Sequence, residues 1–224
     1  MSQSRKATPG GKPRRLSRRE EEEQRRQERL REEQQQARAQ QLRRIGWVSG
    51  GVVALGVVVY LIVHAIVTAP TALPPAPASI PGVVTYSNLS RNHVQGHVNY
   101  PQTPPVGGDH NPVWLNCGIY TQPVPNENAV HSLEHGAVWI TYQPNLVAAD
   151  VTRLQNLVRG HDYVILSPYD GPPSPVVASA WGLQLKVNSA SDPRIAQFIS
   201  KYAQGPQTPE PGAPCSGGTG TPAS

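Results

Sequence analysis

Five of the seven histidines of this chain, His93, His97, His110, His131 and His135, fall within 43 residues. The sharpest arrangement is the run His131-Ser132-Leu133-Glu134-His135. On an α-helix at 100° per residue, His131, Glu134 and His135 share an arc of about 100°, while Val130, Leu133 and Ala137 group on another face. A short helix of this kind buries its apolar side and offers two imidazoles and a carboxylate to one point, a usual way to hold a divalent ion. The expected ligands are therefore His131 and His135, with His110, in the turn-rich loop PPVGGDH, as the third. His97 or a water completes the shell, and Glu134 is a fourth ligand or orients an imidazole. His93, beyond Gly96 from His97, is either a supplementary ligand or a surface residue. The alternative is structural: His131, Glu134 and His135 satisfy hydrogen bonds in a loop-rich core.

The available atoms narrow the metal. The only methionine is Met1, and the two cysteines, Cys117 and Cys215, lie in the part expected outside the membrane, where two thiols most simply form one disulfide. That leaves no soft sulfur for Cu(I), and imidazole with carboxylate suits Cu(II) or Zn(II). Thiolate ligation by Cys117 is the rival to the disulfide. The pattern H-x-x-E-H also equals the inverted zinc-protease motif, whose glutamate acts as a general base. Here Gly136 and a strand follow at once, and a third ligand on another helix is not evident. A metal-dependent hydrolase is thus the enzymatic alternative to a non-enzymatic protein.

The elements that must position these residues lie in one α+β domain at residues 83–204. We expect a strand at 83–86, loops through 101–112, an extended 113–120 and a short helix at 128–135. A buried strand follows at 137–142, then a helix at 146–159 with Val147, Val151, Leu154 and Val158 on one stripe and Gly160 closing it. Strands at 163–167, 176–180 and 183–187 come next, the last two broken at Trp181-Gly182. Asp192-Pro193 opens a final helix that turns Ile195, Phe198, Ile199 and Tyr202 inward. The order β-α-β-β-β-α from Ala137 resembles the second half of a thioredoxin fold, but without a C-x-x-C there is no support for dithiol chemistry.

The flanking segments are of other kinds. Residues 45–67 (IGWVSGGVVALGVVVYLIVHAIV) carry no formal charge and, at about 1.5 Å per residue, reach somewhat over 30 Å, so 45–69 reads as a single transmembrane helix and uncleaved anchor. Arg43 and Arg44 abut it on one side, whereas the first basic residue on the other is Arg91, which places the N-terminus in the cytoplasm. The net charge of +5 is uneven: residues 1–46 hold 14 basic and 7 acidic side chains, and the remainder is mildly acidic. With no basic patch interleaved with aromatics in the folded part, nucleic-acid binding is excluded there. Residues 1–44 form a charged cytoplasmic arm, flexible at first and then a polar helix opened by a Ser17-x-x-Glu20 capping box. Residues 70–82 are a Pro/Ala-rich spacer, and 205–224 a flexible tail that Cys215 staples to the domain.

The stretches HVNYPQTPPVGGDHNPVWLNCGIY and VHSLEHGAVWITY resemble the domain of unknown function 3105 family of bacterial, often actinobacterial, membrane-anchored proteins. The likeness rests on His97, Tyr100, Pro104, Pro105, Gly108, His110, Trp114, Gly118, Tyr120 and the HSLEHG run from His131 to Gly136. It spans roughly residues 83–202. The resemblance implies a site shared by these histidines and no particular activity. The expected function is an anchored extracytoplasmic metal-binding protein, engaged in envelope metal handling and touching the membrane and unidentified envelope proteins. The alternative is a non-enzymatic envelope structural or interaction protein.

Overall fold

The computed structural model describes residues 18–223, with the side chains of all of these except 18–21, 24, 44–45, 48–50 and 66–68. The opening segment, the Ser17-x-x-Glu20 box and the Arg44 side chain fall outside what is described. The chain divides into two compact units, Met1–Val67 and Thr68–Ser224.

The first unit carries a long helix, α1 (Arg18–Thr68). Its charged part exposes every described side chain, as a helix supported by Glu-to-Arg pairs at four-residue spacing does. Among the described residues no helix is long and apolar enough to cross a membrane. Within α1 the longest uncharged stretch with described side chains, residues 51–65, amounts to about 22 Å at 1.5 Å per residue, against a bilayer core of about 30 Å.

The second unit is mixed α+β. Its elements are β1 (Val83–Thr85), β2 (Gly118–Ile119), α2 (Asn126–Glu134), β3 (Val138–Tyr142), α3 (Ala148–Val158), β4 (Val164–Pro168), β5 (Val176–Ala180), β6 (Leu183–Val187) and α4 (Pro193–Tyr202). They build one six-stranded sheet in the order β1-β6-β5-β3-β4-β2. β3 and β4 are parallel and joined through α3, β2 adds parallel to β4, and the other neighbours are antiparallel. The extended 113–120 segment contributes only the two residues of β2.

Strand alternation divides the core. Val138, Ile140 and Tyr142 of β3 and Val164 and Leu166 of β4 pack with Leu154 and Val158 of α3 and with Ile195, Phe198 and Ile199 of α4. Trp139 and Ile165 point to the opposite face, onto Ala129, Val130 and Leu133 of α2. Burial on both faces is what these continuous apolar strands require. The helix ends follow their sequence signals. Asp192 caps α4 by accepting from the Arg194 N–H, and Gly160 takes a positive φ of 76° just past α3.

Two flanking segments differ from expectation. Residues 70–82 do not stand off as a spacer. Ile80 is buried, Ser200 Oγ donates to the Pro74 carbonyl at 2.7 Å, and Arg194 donates to the Pro81 carbonyl. Nor do the described residues of the expected flexible tail, 205–223, hang free of the domain. Cys117 is disulfide-bonded to Cys215, and backbone bonds join Cys117 to Cys215, Asn116 to Thr219 and Ala223 to Ile119. The Gly/Pro/Thr composition gives this strap little apolar surface, so edge pairing and the cross-link, rather than burial, hold it in place.

Candidate metal centre

Helix α2 is the platform. Ala129, Val130 and Leu133 bury one side of it against Trp139, and Ser132 clips the preceding loop by accepting from the Leu115 N–H and donating to its carbonyl. The helix stops after Glu134 because Gly136, at a φ of 95°, turns the chain straight into β3. A Cβ at Gly136 would collide with the side chains of Gln204 and Thr208. The loop at 92–111 is tied by a bridge between His93 and His110 and by Asp109, which accepts from Asn92. Hydrogen bonds from Ser90 and Asn92 hold the Asp109 carboxyl below its ordinary pKa.

These supports bring His93, His110, His131 and Glu134 together, with one potential ligand atom from each lying within 4.8 Å of the others. His110, His131 and Glu134 are buried and His93 is exposed. The His93 and His131 rings stack at 4.8 Å, and His110 lies 5.0 Å and 4.8 Å from them.

Backbone carbonyls fix how these imidazoles are presented. His110 Nδ1 lies 2.7 Å from the Gly108 carbonyl, and His131 Nδ1 lies 2.6 Å from that of Asn111. A carbonyl only accepts, so both Nδ1 atoms carry the proton and donate, leaving each Nε2 a bare lone pair in the neutral ring. His110 Nε2 sits 2.9 Å from Glu134 Oε2, fully buried and without a hydrogen-bond partner among the described residues. Arg91 Nε is 3.9 Å from the other Glu134 oxygen. Burial, joined by repulsion from His135, His110 and His93 and outweighing the bond to Asn111, pushes His131 down to about 4. It is therefore neutral, as a ligand must be, throughout the physiological range.

The residues expected at the site are not all gathered there. His135 leaves the helix as its C-cap, with Nδ1 donating to the Pro214 carbonyl at 2.7 Å and Nε2 3.6 Å from Glu210. Helical geometry does set the His131 and His135 rings side by side, with centroids 4.5 Å apart, but the Pro214 carbonyl in the strap takes the His135 Nδ1 and leaves Nε2 facing Glu210. His97 is exposed and pairs with Glu127 at 3.1 Å. His93 takes its place in the cluster. The sequence signal for it is faint: a histidine in a loop, aligned only by its bridge to His110. The short helix, which ends between Glu134 and His135, also lacks the extended active-site helix of the zinc-protease motif.

Comparison with known proteins finds a matching family. The description Protein of unknown function (DUF3105) matches residues 93–217, a range that includes all four clustered side chains and both cysteines. No curated protein and no solved structure matches the chain.

Proposed function

The chain belongs to the DUF3105 family, whose description assigns no activity, and from the geometry we propose that it is a divalent-metal-binding module held at a cell membrane. One observation carries the reading: with Nδ1 turned to the Gly108 carbonyl, Nε2 of the buried His110 ring faces the buried Glu134 carboxylate at 2.9 Å, so in the neutral ring a lone pair meets a carboxylate. Two lone-pair atoms in a dry site repel unless a proton or a cation lies between them. A proton needs only these two groups, whereas His131 and His93 converge on the same point. For metal–ligand bonds of about 2.1 Å, a 2.9 Å separation corresponds to a ligand–metal–ligand angle near 90°. The carbonyls behind Nδ1 of His110 and His131 supply the outer support that metal-binding imidazoles use.

His93, His110, His131 and Glu134 would hold the ion, and this donor set suits Cu(II) or Zn(II). We propose envelope metal handling as the role. The anchor reading is supported by the uncharged residues 45–67 and by the exposure of the apolar side chains at 51–65. It puts the metal site outside the cell and the charged arm inside, where it meets unidentified partners. A structural reading has one observation in its favour, since the Nδ1 bonds of His110, His131 and His135 each tie down a loop.

Calorimetric titration of the metal-free chain with Zn(II) and Cu(II) separates the two readings. We expect a site that the double change His110→Ala, His131→Ala abolishes. An unchanged isotherm in that variant, with its circular dichroism intact, leaves the structural reading standing.

A further inference from the structure

We propose that a second, more weakly held divalent cation binds between His135 Nε2 and Glu210 Oε2. The inference rests on the neighbouring cluster holding the first ion. The His135 side chain is only 4% exposed, and its Nδ1 proton is committed to the Pro214 carbonyl, so in the neutral ring a metal ligand requires, Nε2 presents a lone pair. That lone pair faces the Glu210 carboxylate at 3.6 Å, too far for a hydrogen bond and with an acceptor on each side. An ion about 2.1 Å from each atom would subtend an angle of about 120°, within the range of a four-coordinate site. The arrangement thus repeats, at a wider angle, the His110 and Glu134 pair.

The two positions are coupled through the chain. His131 and His135 are one helical turn apart with ring centroids at 4.5 Å, and the Glu210 N–H donates to the Glu134 carbonyl at 3.1 Å. They differ in access. Glu134 is 3% exposed, whereas Glu210 is 50% exposed, so water completes the shell at the second position. One buried imidazole and one wet carboxylate make an exchangeable site, suited to passing a Zn(II)- or Cu(II)-class ion to or from the buried cluster.

The test is a Zn(II) titration of the metal-free full-length chain, the Glu210→Gln variant and the His110→Ala variant, with circular dichroism confirming the fold. Glu210→Gln keeps the backbone bond to Glu134 and removes only the carboxylate charge. Wild type should take two equivalents, the second at least about tenfold weaker for want of protein ligands. Glu210→Gln should lose the second while holding the first within about twofold, and His110→Ala should weaken the first by about tenfold or more. One equivalent in wild type, unmoved by Glu210→Gln, overturns the second site and leaves the cluster intact. One equivalent that Glu210→Gln removes makes a single site of the two and overturns it as well. No zinc uptake at all brings down the cluster reading, and this inference with it.

Discussion

Reducing the bond between Cys117 and Cys215 should destabilise the second unit more than any change at the metal site. The cross-link spans 98 residues, and a closed loop of that length lowers the entropy of the unfolded chain by about 16 cal/mol/K, about 4.7 kcal/mol at 25 °C. The ceiling is approachable because the strap is built into the native state: Cys117 N–H donates to the Cys215 carbonyl, and Asn116 and Ile119 pair with Thr219 and Ala223. The measurement is urea unfolding followed by tryptophan fluorescence, with Trp139 fully buried as the main reporter. Oxidised chain is compared with the Cys117→Ser, Cys215→Ser double variant, both metal-free. With a slope of roughly 2 kcal/mol/M, a loss of 3 to 5 kcal/mol lowers the midpoint by about 2 M. The slope should also rise in the variant, since an unfolded chain without the cross-link exposes more surface. Coincident curves would refute the reasoning, because they would mean that the unfolded chain gains nothing when the loop is opened.

Two further outcomes follow from the site and the anchor. His131 is held at about 4 in the folded chain against about 6.5 unfolded, so between those values the unfolded state binds the extra proton. Metal-free protein should then lose stability as pH falls through that window, by at most about 3 kcal/mol and nearer 2 where water reaches the ring. Urea unfolding at pH 7 and pH 4.5 checks this, and His131→Gln should remove that share of the dependence; equal slopes in both proteins would refute the assignment. For the anchor, protease added to intact protoplasts should remove a tag at Ser224 and spare one at Met1, and a surviving outer tag would reverse the proposed orientation.

The elements legible in the sequence are those where side-chain period and burial coincide. Leu154 and Val158 on α3, Ile195, Phe198 and Ile199 on α4, and the break at Trp181-Gly182 all announce themselves through spacing or turn chemistry. The strap and residues 70–82 do not, because what orders them is backbone hydrogen bonding and a cross-link, neither of which leaves a periodic trace. The candidate site was half legible for the same reason. His131 and Glu134 follow from helical geometry and His110 from its loop. His93 depends on a bridge between two irregular segments, and His135 is turned by the Pro214 carbonyl, 79 residues away in sequence.

That 79-residue reach sets an order on assembly. The chain emerges from its N-terminus, and domains gather as they are made. The cluster residues are complete once Glu134 has appeared, but the carboxylate opposite His135, the group that orients its ring and the second half of the disulfide all arrive later, between residues 210 and 215. Until then the edge of β2 and the end of α2 stand open. A chain cut short before Glu210 would carry all six strand segments and three clustered imidazoles yet lack the clasp beside them, so the ring of His135 takes its place only after the rest of the metal region has been made.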